Sequence, residues 1–242
     1  MSDRLRIGLL QCGYVHPSLV QAHGDYPEAF GALLGPHGIE LVVFDVQTGP
    51  VPGHPFSLDG WLVSGSASSA YEPLGWIPPL EAFLRTVVED EAPLVAICFG
   101  HQLLAQAMGG RVVRAPAGWG AGAHDYEVVG PPRPWMVPPA DGPVRLVASH
   151  QDQVVELPDG AELVARTDHC PIAAFTLGAQ ALAIQPHPEF TTDLSGEIAR
   201  LRRDRMGSAI TDAALASLAE PLDRDLVASW ISAFLAGGRR RD

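Results

Sequence analysis

Lysine and asparagine are absent from the 242 residues, and 16 basic side chains face 28 acidic ones, for a net charge of −12. The two missing residue types are a compositional habit and carry no mechanism. The shortage of positive charge does exclude something. Without a long basic stripe, an acidic chain cannot hold a phosphate backbone or an anionic bilayer, so neither nucleic acid nor membrane is expected as a partner. The one basic run, Arg239-Arg240-Arg241, stands at the extreme C-terminus and reads as a frayed tail. Cysteine is scarce as well. Cys12, Cys98 and Cys170 form no paired spacings, which excludes a disulfide framework. No apolar run reaches membrane-spanning length. The first apolar stretch is broken by Gly8 and Gln11, so it reads as a strand, and no secretory signal is visible. A soluble protein of the reducing cytoplasm is expected. Internal repeats and low-complexity linkers are also lacking.

Hydrophobic residues make up 47% of the chain, enough for a sizeable core. The length suits one domain over 1–242, with a core at 5–190 and a helical extension at 191–242. Leu5 to Cys12, Ile39 to Val46, Gly60 to Val63 and Leu94 to Ile97 are apolar runs of the kind buried on both faces of a parallel sheet. Helical patterns lie between them, at Tyr26 to Leu34 and Pro78 to Glu91. This alternation predicts an α/β fold with a doubly wound, mostly parallel, flavodoxin-like sheet. After Gly109-Gly110 the pattern changes to short strand-like segments joined by Gly/Pro turns. They are Arg111 to Arg114, Tyr126 to Val129, Arg145 to Ala148, Glu162 to Arg166, Ala173 to Leu177 and Ala181 to Gln185, read as added antiparallel strands and a return to the sheet. Leu194 to Arg205, Ile210 to Leu218 and Leu222 to Leu235 read as helices covering an edge.

The most informative stretch is 93–108. A buried strand stops at Cys98, passes Gly100, and turns at once into a helix with Leu103, Leu104 and Ala107 on one face. A sulfur there sits at a helix N-terminus, where the dipole and free N–H groups favour a thiolate. Downstream, a second strand end carries Gln185-Pro186-His187-Pro188-Glu189-Phe190. In an extended segment Glu189 shares a side with His187 and can hold one ring nitrogen, leaving the other for a sulfur. Nucleophile, base and orienter are thus available for acyl transfer. The oxyanion of such a reaction needs N–H donors, here from Phe99 and from the Ser64-Gly65-Ser66 turn.

Cys98-Phe99-Gly100-His101-Gln102 with His187-Pro188-Glu189 resembles the class I (triad) glutamine amidotransferase family. Ser149-His150-Gln151-Asp152-Gln153-Val154, Gly118-Trp119-Gly120-Ala121-Gly122, and Gly24-Asp25-Tyr26-Pro27 with Phe30 are similar to its GMP-synthase-like, stand-alone branch. The resemblance implies that Cys98 attacks the side-chain amide of glutamine or another γ-glutamyl compound. It implies His187 as proton carrier, Glu189 as its orienter, and the backbone of Gly65 and Phe99 as oxyanion hole. Gln102 falls where the family contacts the α-amino and carboxylate groups, with Trp119, Gly122, Ser149 and His150 closing over that end. The usual Gly-Gly-Pro turn is here Ser64-Gly65-Ser66. No cofactor is implied. The small-molecule partner is glutamine or a γ-glutamyl amide. If ammonia is passed on, a separate synthetase is a further partner.

Other residues carry less. Asp168-His169-Cys170 lacks a second ligand pair, so no metal is expected. Cys12 reads as a small buried residue, His101 as packing, and Glu72 and Asp125 as solvated. Three functions remain open: a free-standing hydrolase, a glutaminase subunit feeding a separate synthetase, and a non-catalytic binding module on the same fold. The S-G-G-x-D-S loop of an ATP-pyrophosphatase is absent, which excludes GMP synthesis by this chain alone.

Overall fold

The computed structural model describes residues 4–238, so the arginine run at 239–241 lies outside the described residues. The first half alternates strands and helices. Strand β1 (Leu5–Gln11) is followed by helices α1 (Pro17–His23) and α2 (Tyr26–Leu34), then β2 (Ile39–Asp45) and β3 (Gly60–Val63). Helix α3 (Ile77–Glu89) leads to β4 (Leu94–Ile97), and α4 (Phe99–Ala107) follows Cys98 directly. The start of α2 is encoded locally. The Asp25 carboxylate accepts from the first turn, while Glu28 reaches back to the Asp25 N–H at 2.9 Å. Helix α3 buries Leu80, Phe83, Leu84, Val87 and Val88, a stripe at helical spacing.

The second half is richer in strands: β5 (Arg111–Arg114), β6 (Gly120–Val128), β7 (Val144–His150), β8 (Asp152–Glu156), β9 (Ala161–Arg166), β10 (Ala174–Leu177) and β11 (Ala181–Ile184). Helices α5 (Thr192–Leu201), α6 (Arg203–Met206), α7 (Ser208–Ser217) and α8 (Arg224–Gly237) follow. The main sheet runs β2-β1-β3-β4-β11-β10-β9-β6-β7. Neighbours from β2 through β11 pair in parallel, and the remaining pairs are antiparallel. Two clusters of buried apolar side chains form the core, one holding Phe30, Val95 and Phe234, the other Trp61, Leu84 and Phe175. The last strand, β7, folds back so that Val147 bridges to His187, just beyond β11. That return brings the antiparallel addition to the carboxyl ends of the parallel strands.

The apolar pattern predicts β3 and β4 with the bounds they have. It misses α1, whose seven residues bury only Leu19 and so show no periodicity. It begins β6 at Tyr126 instead of Gly120, because Gly and Ala give no alternation of apolar and polar. It misses β8, which pairs with β5 in a separate small sheet. The helix expected over Leu194 to Arg205 breaks at Arg202, and Gly207 at φ +87° turns the chain into α7. The C-terminal helices also do more than cover an edge, because two of their arginines reach the cleft described below.

Candidate active site

Cys98 joins β4 to α4 in a conformation rare for a residue with a side chain, φ 54° and ψ −101°. Such a backbone costs about 1–3 kcal/mol and persists only where its surroundings enforce it. On one side the Cys98 N–H donates to Ile184 O at 2.8 Å, tying it to β11. On the other, α4 enters so close to β3 that a Cβ on Gly100 would lie 2.7 Å from Val63 Cβ. Gly100 is therefore required by this approach, not by a left-handed backbone. The result presents the sulfur at a helix N-terminus.

His187 is held from several directions. Its N–H donates to Val147 O at 2.8 Å, and prolines flank it on both sides. The ring of Phe190 lies parallel on the imidazole, 4.0 Å away at 3°, and Tyr26 stacks on Phe190 in turn. From α8, Arg224 grips the carbonyls of Pro188 and Glu189 at 2.9 and 3.1 Å. Nδ1 of His187 lies 2.7 Å from Oε1 of Glu189, both side chains being buried. With Nδ1 so engaged, Nε2 is the ring nitrogen left for a sulfur. Burial opposes protonation of this ring, but the Cys98 sulfur and the Glu189 carboxylate together outweigh it and raise His187 to about 10.

The turn after β3 completes this corner. Ser64 Oγ accepts from Cys12 N–H at 2.9 Å and donates to Gly65 O at 3.0 Å, so the serine ties the turn to β1. Ser64 is not among the positive-φ residues, and the turn tolerates its side chain. Gly65 has no such latitude: a Cβ there would lie 2.8 Å from the Tyr26 hydroxyl and 3.0 Å from His187 Cε1. Among the described residues, the amides of Gly65 and Phe99 donate no hydrogen bond to the protein. Two free donors thus flank the sulfur's corner.

A cleft of about 240 Å³ opens over Cys98. Gln102, Trp119, Ser149 and His150 all line it. The Gln102 amide donates to Asp152 O at 2.8 Å and Gln185 Oε1 at 3.1 Å, leaving its carbonyl oxygen for the cleft. Gly122 is a correction: it faces away from the cleft, at φ +80°, where a Cβ would meet Ser217 and Ala214 of α7 within 2.6 Å. Its role is to let β6 approach that helix. Gly120, at the start of the same strand, sits against His150 and His169. Glu72 and Asp125 are both exposed as expected, Glu72 on the cleft wall and Asp125 in a 2.7 Å surface pair with Arg145. Cys12 is fully buried, and burial pushes its thiol up.

Among the charged and aromatic residues of the cleft, those the motifs did not point to are Tyr71, Glu72 and three arginines, Arg114, Arg202 and Arg205. Arg202 and Arg205 come from the junction of α5 and α6, in the helices read as covering an edge. The spacing of four arginines among Arg200 to Arg205, broken by Leu201 and Asp204, was the available signal. Nothing in it says which of them turn inward.

His101 and His150 are buried and neutral, each held at about 3, in both cases chiefly by desolvation. In the unfolded chain a histidine binds its proton near pH 6.5, so between about 6.5 and 3 the unfolded state carries more protons. Stability therefore falls as pH falls through that window, by about 1.4 kcal/mol per pH unit for each such ring. Urea unfolding of wild type and His101→Gln between pH 7 and 4.5 should show a shallower loss in the variant. Parallel curves would contradict a neutral buried His101.

Comparison with known proteins decides the kinship. The sequence model of "Glutamine amidotransferase class-I" matches residues 33–199. The chain belongs to this family. Within it, the chain is 30% identical over 183 residues to Gamma-glutamyl peptidase 4 of Arabidopsis thaliana, covering 74% of this chain and 73% of that one. It is 28% identical over 191 residues to a glutamine-hydrolyzing GMP synthase subunit of Halobacterium salinarum, covering 75% and 93%. Among solved structures, a glutamine amido transferase from Methylobacillus flagellatus superposes with a TM-score of 0.73 at 22% identity, over 99% of this chain and 96% of that one. The class I amidotransferase fold, a large mostly parallel sheet with antiparallel additions and helices, is thus shared. Among the described residues, no helix is long and apolar enough to cross a membrane, and no group of His, Cys, Asp or Glu is arranged to hold a metal ion.

Proposed function

We propose that this protein is a cytoplasmic hydrolase of γ-glutamyl amides, glutamine included, working through a γ-glutamyl thioester on Cys98. The observation that carries this is the Glu189–His187 contact of 2.7 Å, with Cys98 at the start of α4 lining the open cleft. In the reaction, His187 takes the proton of the Cys98 thiol, and the sulfur attacks the side-chain carbonyl carbon of the glutamyl group. The carbonyl oxygen takes up negative charge between the amides of Gly65 and Phe99. His187 gives its proton to the departing nitrogen, and the amine leaves. His187 then takes a proton from water, the resulting hydroxide attacks the thioester, and glutamate is released with the thiol restored. Gln102 offers its free carbonyl oxygen to the α-amino group, and Trp119, Ser149 and His150 wall the cleft around the substrate.

Purified protein supplied with glutamine and several γ-glutamyl compounds should release glutamate from at least one, and no release from any would sink the proposal. Glu189→Gln tests the roles. Its loss should lower kcat by about 10²–10⁴-fold, as for other oriented bases. Because a carboxylate favours the charged ring, its removal should also move the basic limb of the pH–rate profile to lower pH. An unchanged limb and rate would remove Glu189 from the mechanism.

The kinship with the Halobacterium GMP synthase protein, matched over 93% of its length, favours a second reading as a glutaminase that feeds a separate synthetase. Slow glutamine hydrolysis that accelerates only on addition of a second protein would select it. The 2.7 Å imidazole–carboxylate contact, with Cys98 lining an open cleft, speaks against a non-catalytic module.

A further inference from the structure

Gln102 enters the cleft wall from the first turn of α4, and the protein engages its side-chain nitrogen twice. One proton goes to Asp152 O at 2.8 Å and the other to Gln185 Oε1 at 3.1 Å. An amide turned the other way would set Gln102 Oε1 against the Asp152 carbonyl oxygen, which cannot donate. The Asp152 carbonyl therefore fixes the sense of the Gln102 amide, and Gln185 takes up the second proton. What remains for the cleft is an acceptor with no spare donor beside it. Gln185 itself stands behind that wall. It is fully buried, one residue beyond β11, with its backbone N–H donating to Ala173 O at 2.7 Å. Its side-chain nitrogen is buried without a hydrogen-bond partner. Such a group is costly inside a protein, and an apolar side chain of similar length would avoid the cost. What the polar side chain supplies in return is the acceptor for Gln102.

We propose that Gln185 is a positioning residue for recognition of the substrate's α-amino group: it consumes the second Gln102 proton, so that Gln102 can accept but not donate toward the cleft. A group that only accepts favours an ammonium, which only donates, and gains nothing from a substrate that lacks one. Without the Gln185 oxygen, one N–H of Gln102 is released, and the amide can turn a donor toward the ammonium and repel it. The inference rests on the γ-glutamyl hydrolase reading above and deepens it. Gln185 lies two residues before His187, whose own N–H is held by Val147 O. One short segment after β11 thus sets both the base and the group that registers the amine.

The test compares glutamine with glutaramate, the same amide without the α-amino group. Two variants separate the acceptor from the bulk of the side chain. Gln185→Met keeps the length and removes the acceptor. Gln185→Glu keeps an oxygen for Gln102 and gives up a nitrogen that bonds to nothing, and burial holds the new carboxyl neutral. Wild type should favour glutamine in kcat/KM. Gln185→Met should reduce that preference about tenfold or more, chiefly through the KM for glutamine, and Gln185→Glu should keep it within about threefold. General damage to the fold lowers both substrates together and leaves their ratio alone. An unchanged ratio in Gln185→Met therefore overturns the role of Gln185 while the hydrolase reading stands, and so does a ratio lost equally in both variants. Calorimetric binding of the two compounds to Cys98→Ser reads the same preference without turnover. Tighter binding of glutamine that Gln185→Met abolishes and Gln185→Glu retains supports the role even if the wild type cleaves neither compound. Equal binding of the two, or binding of neither, overturns it.

Discussion

Replacing Cys98 with serine is expected to lower glutamate release by about 10⁴-fold or more while leaving the unfolding midpoint within a few degrees of wild type. Sulfur and oxygen are close in size, and a serine keeps the same strained φ of 54°, so the fold has little reason to respond. The chemistry does. A hydroxyl beside His187 does not ionise as a thiol can, and a residual rate would come from the oxyanion donors and binding alone. Mass spectrometry after a glutamine-analogue electrophile should find the adduct on Cys98 in wild type and none in the variant. Cys170 and Cys12 are the controls: both are buried, and burial pushes Cys170 up to about 12. Undiminished turnover in Cys98→Ser would take the nucleophile away from this elbow.

The second large effect is expected from one methyl group. Gly65→Ala should reduce kcat/KM by about 10²–10³-fold, the usual scale for loss of an oxyanion donor. The new Cβ would stand 2.8 Å from the Tyr26 hydroxyl and 3.0 Å from His187 Cε1, so either the turn retreats or the ring is displaced. Both outcomes spoil geometry that must hold to within a fraction of an ångström. Tyr26→Phe in the same chain removes the nearest clash and leaves the next Tyr26 atom at 3.3 Å, so the double variant should recover part of the loss. Activity of Gly65→Ala within twofold of wild type would show that this turn does not border the reacting atoms.

Much of this corner can be read along the chain, because its parts are local. Leu94 to Ile97 is an unbroken apolar run, the helix after Cys98 declares itself by its period, and His187 and Glu189 are two residues apart, although a turn at Pro188 and Glu189, not an extended segment, brings them together. The limits of local reading appear at Gly122 and in α5–α6. A glycine in a loop motif looks the same whether it borders a cleft or, as here, admits Ala214 and Ser217 of a packed helix. The stretch around Arg200 to Arg205 looks like a solvated face, yet the break at Arg202 and the turn at Gly207 aim Arg202 and Arg205 at Trp119, more than 80 residues earlier. Tyr26 is similar. Its helix start is visible, but its contacts with Phe190 and Gly65 come from three separate segments.

By itself, then, the sequence determined the alternation of strands and helices, the place of the sulfur at a strand end, and the pairing of imidazole with carboxylate. These follow from period, turn chemistry and short spacing, which act between near neighbours. Only the tertiary structure decided that β7 folds back onto His187, that three arginines line the cleft, and that Gly65 lies under both Tyr26 and the imidazole. Those relations depend on how distant segments pack, and no neighbour along the chain carries that information.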